Sequence, residues 1–264
     1  MSSSPAARYA RRADDAVGVL TLDRPANRNS MTPELLDAFV EALAAARADD
    51  GLRCLVITGT GTSFSAGADF RSVIQRGDDG ATPAARSYAM YEPFLGVLDV
   101  EVPVIAACNG HAVGGGFGLA LVCDLRVGAR GARYGANFAR LGLHPGMAIT
   151  YTLPRLIGAA RAAELLYTGR LLDGEAAHQL GVLEHVVDAA AVLPTACALA
   201  AEIAAAAPLA VRATKATLSR GVAEAARAAA RAEAADQAAT LTTIDAGEGI
   251  AALLAKRAPV FIGR

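Results

Sequence analysis

The chain has 264 residues, of which 53% are hydrophobic, and its 25 basic and 26 acidic side chains nearly cancel. This length and apolar content can bury a substantial core and fit one large domain, or a domain with an appendage. Because there is no basic block, nothing indicates a nucleic-acid partner. The N-terminal residues lack the apolar stretch of a secretory signal, and no run approaches the length of a membrane span, so we expect a cytoplasmic protein with no membrane partner.

The first half of the chain alternates strand-like and helix-like segments. Thr32 and Pro33 form a helix start, with threonine as the cap, and this helix is predicted to run to about Asp49. A later helix is predicted over 83–99. The predicted strands are apolar runs at Val17–Leu22, 52–58, 102–108 and 124–129. The recurrence of strand, turn and helix predicts an α/β fold with parallel strands.

The second half is predominantly helical. Helical segments follow Arg161, Asp173 is predicted to cap another helix, and Pro208 separates the last helical section. We therefore predict two parts, a core over residues 1–207 and a C-terminal helical region over residues 208–264.

Two glycine-containing turns dominate the chain. The first is Ser65-Ala66-Gly67-Ala68-Asp69, and the second runs from Asn109 through Gly114, Gly115 and Gly116 to Gly118. Each follows a strand-like run, and the second opens a helix, whose amino end favours anions. Glycine lets a ligand approach backbone amides closely, so the pair is typical of an oxyanion hole. The alternative for the second turn is tight packing of a helix against strands.

These turns and four further motifs resemble the crotonase family, also called the enoyl-CoA hydratase/isomerase family. The resemblance covers nearly the whole chain and includes Leu20 to Pro25, Asn29 to Met31, Leu141 to Gly146, and Lys256 to Phe261. It implies a spiral of stacked strand-turn-helix repeats. It also implies that the amides of Ala68 and Gly115 bind a thioester carbonyl.

The sequence departs from the pattern of this family at the acid–base positions. Hydratases of the family carry one glutamate shortly after the glycine triplet and a second before the Leu-Gly segment, but Gly118 and Phe138 occupy these positions here. Other branches place an aspartate after the proline of the third motif, where this chain has Gly146. Hydration needs a base to activate water and an acid to protonate carbon, so ordinary hydratase activity is not expected.

The resemblance implies further substrate and coenzyme A contacts. His144, in the third motif, has a free pKa suited to proton transfer and is a candidate catalytic group, although a loop histidine bonded to backbone is the alternative. Tyr91 falls near a position that lines the acyl pocket in some branches, and a half-buried amphipathic tyrosine is its alternative. The remaining predicted contacts are Arg28, Ala66, Asp69, Arg71, Gly114, Gly118, Phe138, Lys256 and Phe261.

Other site chemistries have little support in the sequence. The glycine spacing fails the dinucleotide pattern, and no serine stands in a hydrolase elbow. The four histidines form no helical pair for a metal, and the four cysteines lie apart within apolar runs, as buried free thiols do. We expect no metal and no permanently bound cofactor, with coenzyme A entering as part of the substrate.

The sequence therefore predicts an acyl-CoA-binding protein of the hydratase/isomerase type that stabilises a thioester enolate. The alternative is a catalytically inactive member that binds acyl-CoA or regulates its use. The resemblance also implies a homotrimer or a dimer of trimers, with contacts from residues 208–264.

Overall fold

The computed structural model describes residues 5–12, 16–69 and 80–264. A six-stranded sheet forms the centre, with strands in the order β1 (Ala7–Arg11), β2 (Val17–Leu22), β3 (Cys54–Gly59), β5 (Val104–Cys108), β7 (Leu125–Ala129) and β9 (His185–Val187). Only β1 is antiparallel to its neighbour, and the other pairs are parallel. The predicted α/β class with parallel strands is confirmed.

A second, three-stranded parallel sheet carries the two glycine turns. It consists of β4 (Ser63–Ser65), β6 (His111–Val113) and β8 (Tyr134–Gly135), with β6 in the middle. Because β4 and β6 are parallel neighbours, their carboxyl ends lie at one edge of the sheet. Strand β6 lies within the segment predicted as the second turn, and the glycine-rich residues that follow β4 and β6, at 66–69 and 114–118, therefore start side by side.

The helices of the first half lie where the sequence predicts them. Helix α1 (Pro33–Arg47) begins where Thr32 Oγ1 accepts a hydrogen bond from Leu35 N at 3.3 Å, and it ends two residues before the predicted Asp49. The predicted helix over 83–99 is α2 (Pro83–Leu95) followed by a 3₁₀ turn at Gly96–Asp99. Helix α3 (Gly115–Val122) leaves the second glycine turn.

Helices make up most of the remaining chain. Asp173 caps α6 as predicted, because its carboxylate accepts a hydrogen bond from Ala176 N at 2.9 Å. Helix α8 starts at Pro208, where the C-terminal region was predicted to begin. The later helices are α4 (Ile149–Ile157), α5 (Ala159–Thr168), α6 (Gly174–Gln179), α7 (Val192–Ala205), α8 (Pro208–Leu218), α9 (Val222–Leu241) and α10 (Ile244–Ala255).

The core lies between the main sheet and the helices. Strand β5 is buried at every position, as the predicted apolar run requires. All four cysteines are free and buried, which confirms their prediction as buried thiols. Burial raises the pKa of Cys54 and of Cys123 to about 12.

Helix α9 brings the C-terminal region back over the core, where it packs against α2 and α4. Among the described residues, no single helix has the length and apolar composition of a membrane span; Ala189–Ala205 and Pro208–Leu218 reach them only together, across a bend of 110°. The division at residue 208 and the predicted trimer stay predictions.

Candidate active site

Hydrogen bonds from its backbone hold the first glycine turn in place, and the N–H of Ala68 takes no part in them. Gly67 has φ +79°, a left-handed conformation that favours glycine. Ala66 N donates to Arg28 O at 3.0 Å, Gly67 N donates to Ser65 Oγ at 3.3 Å, and Met31 N donates to Gly67 O at 2.9 Å. Within the described ranges, no acceptor is recorded for the N–H of Ala68.

The second turn also ends in an amide with no recorded acceptor in the described part of the chain. Gly114 has φ +56° and donates its N–H to Gly135 O at 2.9 Å, which fixes the turn on β8. Gly118 N donates to Gly114 O at 3.0 Å and so closes the first turn of α3. The amide of Gly115, the first residue of α3, belongs to the N–H groups that a helix leaves unpaired at its start.

The two turns touch each other. A Cβ atom built on Gly67 would lie 2.9 Å from Gly115 N and 2.7 Å from Val113 O. One built on Gly116 would lie 2.2 Å from Ser65 O. Side chains at these positions would force the turns apart, so glycine at 67 and 116 is what lets the two turns pack against each other.

Large buried side chains surround this meeting point. Met31 and Met147 have no exposed surface, Tyr91 is 1% exposed, and Phe138 is 4% exposed. A Cβ built on Gly115 would lie 2.4 Å from Met31 Sδ and 3.6 Å from Tyr91 Cε1. The alternative interpretation of Tyr91 as a half-buried amphipathic tyrosine is therefore wrong, because its ring is packed in the interior beside the second turn.

The three positions that lack carboxylates are covered by apolar or aromatic groups. A Cβ on Gly118 would lie 2.1 Å from Met147 Cγ, and a Cβ on Gly146 would lie 2.5 Å from Tyr91 Oη. Phe138 is the first residue of a 3₁₀ turn (Phe138–Leu141), and its Cζ lies 3.7 Å from the Cβ position of Gly114. The site is therefore lined by thioether and ring surfaces where related hydratases are implied to carry glutamates.

Glu233, which the sequence analysis did not single out, organises the loop before α4. It is 2% exposed, and its carboxylate accepts hydrogen bonds from Ala148 N at 2.6 Å, Thr150 N at 2.7 Å and Thr150 Oγ1 at 2.6 Å. Burial raises the pKa of Glu233, and these hydrogen bonds oppose the shift. Its signal in the sequence is weak: a single acidic residue on the alanine stripe of α9, with Ala226, Ala230 and Ala234.

A second residue of α9 ties Tyr91 to the third motif. Tyr91 Oη donates to Gln237 Oε1 at 2.8 Å, and Gln237 Nε2 donates to His144 O at 3.0 Å. Glu233 and Gln237 are four residues apart and share a helix face. One face of α9 thus holds both the loop that carries Met147 and the ring of Tyr91.

The ring of His144 lies against backbone and near α9, as expected for the alternative to a catalytic role. Nδ1 lies 2.7 Å from Pro145 O, and Nε2 lies 3.8 Å from Asp236 Oδ2 near the surface. His144 N donates to Thr240 Oγ1 at 3.0 Å. These contacts are those of a loop histidine bonded to backbone and to α9.

The other predicted contacts fall at different distances from the turns. Arg28 is exposed with φ +60°, and its carbonyl accepts the amide of Ala66, so it adjoins the first turn. Asp69 is half-buried and ends that turn. Lys256 and Phe261 lie at the end of α10 and in the tail, and no described hydrogen bond or ion pair joins them to either turn. Arg71 lies outside the described residues.

The described residues also bear on metal chemistry. Within 5–12, 16–69 and 80–264, no group of three or more His, Cys, Asp or Glu side chains could hold a metal ion.

Comparison with known proteins places the chain in a family. The sequence model of the enoyl-CoA hydratase/isomerase family matches residues 12–264. The chain is 36% identical over 254 residues to a putative enoyl-CoA hydratase/isomerase, YngF, of Bacillus subtilis, which covers 95% of this chain and 96% of that protein. It is 34% identical over 253 residues to crotonyl-CoA hydratase of Syntrophomonas wolfei, with 95% and 96% covered.

A solved structure shows the same fold. Carnitinyl-CoA hydratase from Mycobacterium avium superposes with a TM-score of 0.87 at 31% identity, over 99% of this chain and 100% of that one. The chain belongs to the enoyl-CoA hydratase/isomerase family, as the resemblance of its motifs predicted.

Proposed function

We propose that this protein is an acyl-CoA enzyme that holds the thioester carbonyl with the amides of Ala68 and Gly115. The observation that carries the proposal is the contact between the two turns, since a Cβ on Gly67 would lie 2.9 Å from Gly115 N. Two amides at one point can stabilise the negative charge that an enolate places on the thioester oxygen. The helix that begins at Gly115 adds its positive end.

The reaction is proposed to be one that needs little acid–base help from carboxylates. With Gly118 and Phe138 at the two glutamate positions, water addition lacks both its base and its acid. Isomerisation, decarboxylation and carbon–carbon cleavage all pass through a stabilised enolate. His144 is the proposed proton carrier where one is needed, and it would have to turn away from Pro145 O to reach the substrate.

The alternative is a member that binds acyl-CoA without turnover. The packing of Met147 over Gly118 favours it, because the space that a catalytic carboxylate would need is filled by an unreactive thioether. Hydrogen exchange at the α carbon separates the two proposals, since only an enolate-forming site exchanges a bound acyl-CoA with deuterated water.

The test compares a variant that places a methyl group between the two glycine turns with a matched control. Gly67→Ala introduces a methyl group 2.9 Å from Gly115 N, whereas Gly247→Ala in α10 meets no atom within 4 Å. Mass spectrometry of a panel of enoyl-CoA and branched acyl-CoA species in deuterated water measures exchange and product. Gly67→Ala should lower the rate by roughly 100-fold, which is the effect of losing one oxyanion donor.

Each result supports or contradicts one of the two proposals. Circular dichroism confirms that both variants fold, and Gly247→Ala should match the wild type. Binding without exchange or product in the wild type would favour the non-catalytic alternative. Equal turnover in Gly67→Ala and wild type, or equal acyl-CoA affinity where the wild type shows no turnover, would contradict the assignment of the site.

A further inference from the structure

We infer that Met147 sets the substrate range of this site by admitting only short acyl groups on the thioester. This inference rests on the proposed function, because it takes the amide of Gly115 as the point where the carbonyl binds. It assigns a role to a side chain that sequence analysis passed over and that bears no acid or base.

The position of Met147 follows from the geometry of α3. Gly115 and Gly118 are three residues apart, so they share one face of the helix and are separated by about 4.5 Å along its axis. An acyl group whose carbonyl oxygen is held at Gly115 N and that extends along this face passes over Gly118 within a few carbon atoms. Whatever covers Gly118 therefore meets the chain of the substrate.

Met147 packs directly on Gly118. A Cβ on Gly118 would lie 2.1 Å from Met147 Cγ and 2.6 Å from Met147 Cβ. Met147 has no exposed surface, and the rings of Tyr91 and Phe138, which are 1% and 4% exposed, lie beside Gly115 and Gly114 of the same turn. A long acyl chain has no path over Gly118 unless Met147 moves.

The backbone holds Met147 in this place. Met147 has φ +68° and Ala148 has φ +57°, a conformation that residues other than glycine adopt infrequently. The carboxylate of Glu233 fixes it by accepting hydrogen bonds from Ala148 N and Thr150 N. Glu233 is thus a positioning residue, and Met147 is the residue that selects the substrate.

The substrate class that fits is a thioester with a short acyl group such as acetyl-CoA. Butyryl-CoA tests the limit, and octanoyl-CoA should be excluded. The methionine side chain is flexible, so displacement is possible at a cost, and the expected result is a graded loss of affinity with chain length.

The experiment measures the affinities of acetyl-CoA, butyryl-CoA and octanoyl-CoA by calorimetry. The main variant is Met147→Gly, because glycine adopts φ +68° without strain and removes the whole side chain. Met147→Ala is the second variant, in case glycine loosens the loop. Leu43→Ala is the control, since it removes a buried side chain from α1.

The wild type should bind acetyl-CoA at least about tenfold more tightly than octanoyl-CoA, since one surplus methylene in a closed pocket already costs about that factor. Met147→Gly or Met147→Ala should improve octanoyl-CoA affinity by about tenfold or more and so reduce the preference for acetyl-CoA. Leu43→Ala should keep the wild-type ratio.

Two results would overturn the inference. One is wild-type binding of octanoyl-CoA as tightly as acetyl-CoA, and the other is an unchanged chain-length ratio in both Met147 variants when they are folded. Failure of the proposed thioester site looks different, because then no acyl-CoA of any length binds to the wild type or to the variants, whereas loss of turnover alone leaves the chain-length ratio measurable.

Discussion

Glu233 shows how a buried charge can serve a site without taking part in its chemistry. Its carboxylate accepts three hydrogen bonds from Ala148 and Thr150, and both of its oxygens are used. An ionised carboxylate in the interior is tolerated when such donors surround it. Removing it would leave buried amides unpaired at the loop that carries Met147.

The titration of Glu233 predicts a pH dependence of stability. Burial raises its pKa above the ordinary value of 4.5, so the folded protein binds this proton more tightly than the unfolded chain. Stability from this group is therefore fully present at low pH and declines as pH rises through the raised pKa. The difference in unfolding free energy between wild type and Glu233→Gln should decrease as pH increases above about 4.5.

Urea denaturation at a series of pH values measures this difference. Glu41→Gln is the control, since it removes the carboxylate of an exposed residue of α1. A wild-type advantage over Glu233→Gln that grows with pH would contradict the assigned direction of the pKa shift.

The sequence pointed to the glycines but not to Glu233, for a physical reason. A glycine turn after a strand is visible locally, since its backbone needs are met within a few residues. Glu233 acts on amides at 148 and 150, more than eighty residues earlier in the chain. In an alanine-rich helix, nothing local distinguishes a buried glutamate from one facing solvent.

Helix starts and central strands were predictable from the sequence because they depend on local caps and apolar runs. Thr32 and Asp173 cap their helices as predicted, and Val17–Leu22 is a strand at its predicted limits. The sheet of β4, β6 and β8 was missed, because its strands of three, three and two residues are too short to show periodicity. The edge strand Ala7–Arg11 was missed too.

The packing of α3 against the loop at Met147 changes what a restored glutamate would do. From sequence alone, installing glutamate at Gly118 and Phe138 should test whether only the acid–base pair is missing. The structure shows that a side chain at Gly118 collides with Met147, beginning with its Cβ at 2.1 Å from Met147 Cγ. Gly118→Glu alone should therefore destabilise the fold by about 1–3 kcal/mol through overpacking.

The double variant Gly118→Glu/Met147→Ala should recover most of this loss, because the smaller side chain makes room. The measurement is the unfolding free energy of the wild type, both single variants and the double variant, treated as a cycle. Additive effects would show that the two positions do not compete for the same space.

The parallel pairing of β4 and β6 brings together two turns that are nearly fifty residues apart in the chain. The family motifs predicted this convergence through resemblance, whereas spacing alone could not aim the amides. The side chains that close the site come from still further away: Met31 lies before α1, and the contacts of Tyr91 and the Met147 loop come from α9. Such contacts depend on tertiary packing and have no local sequence signal.

The most direct test of the account is a crystal structure of the protein with acetyl-CoA. The thioester oxygen should lie about 2.7–3.1 Å from both Ala68 N and Gly115 N, with the acyl methyl group against Met147. A thioester oxygen bound away from these two amides, or either amide bonded instead to an internal carbonyl, would contradict it.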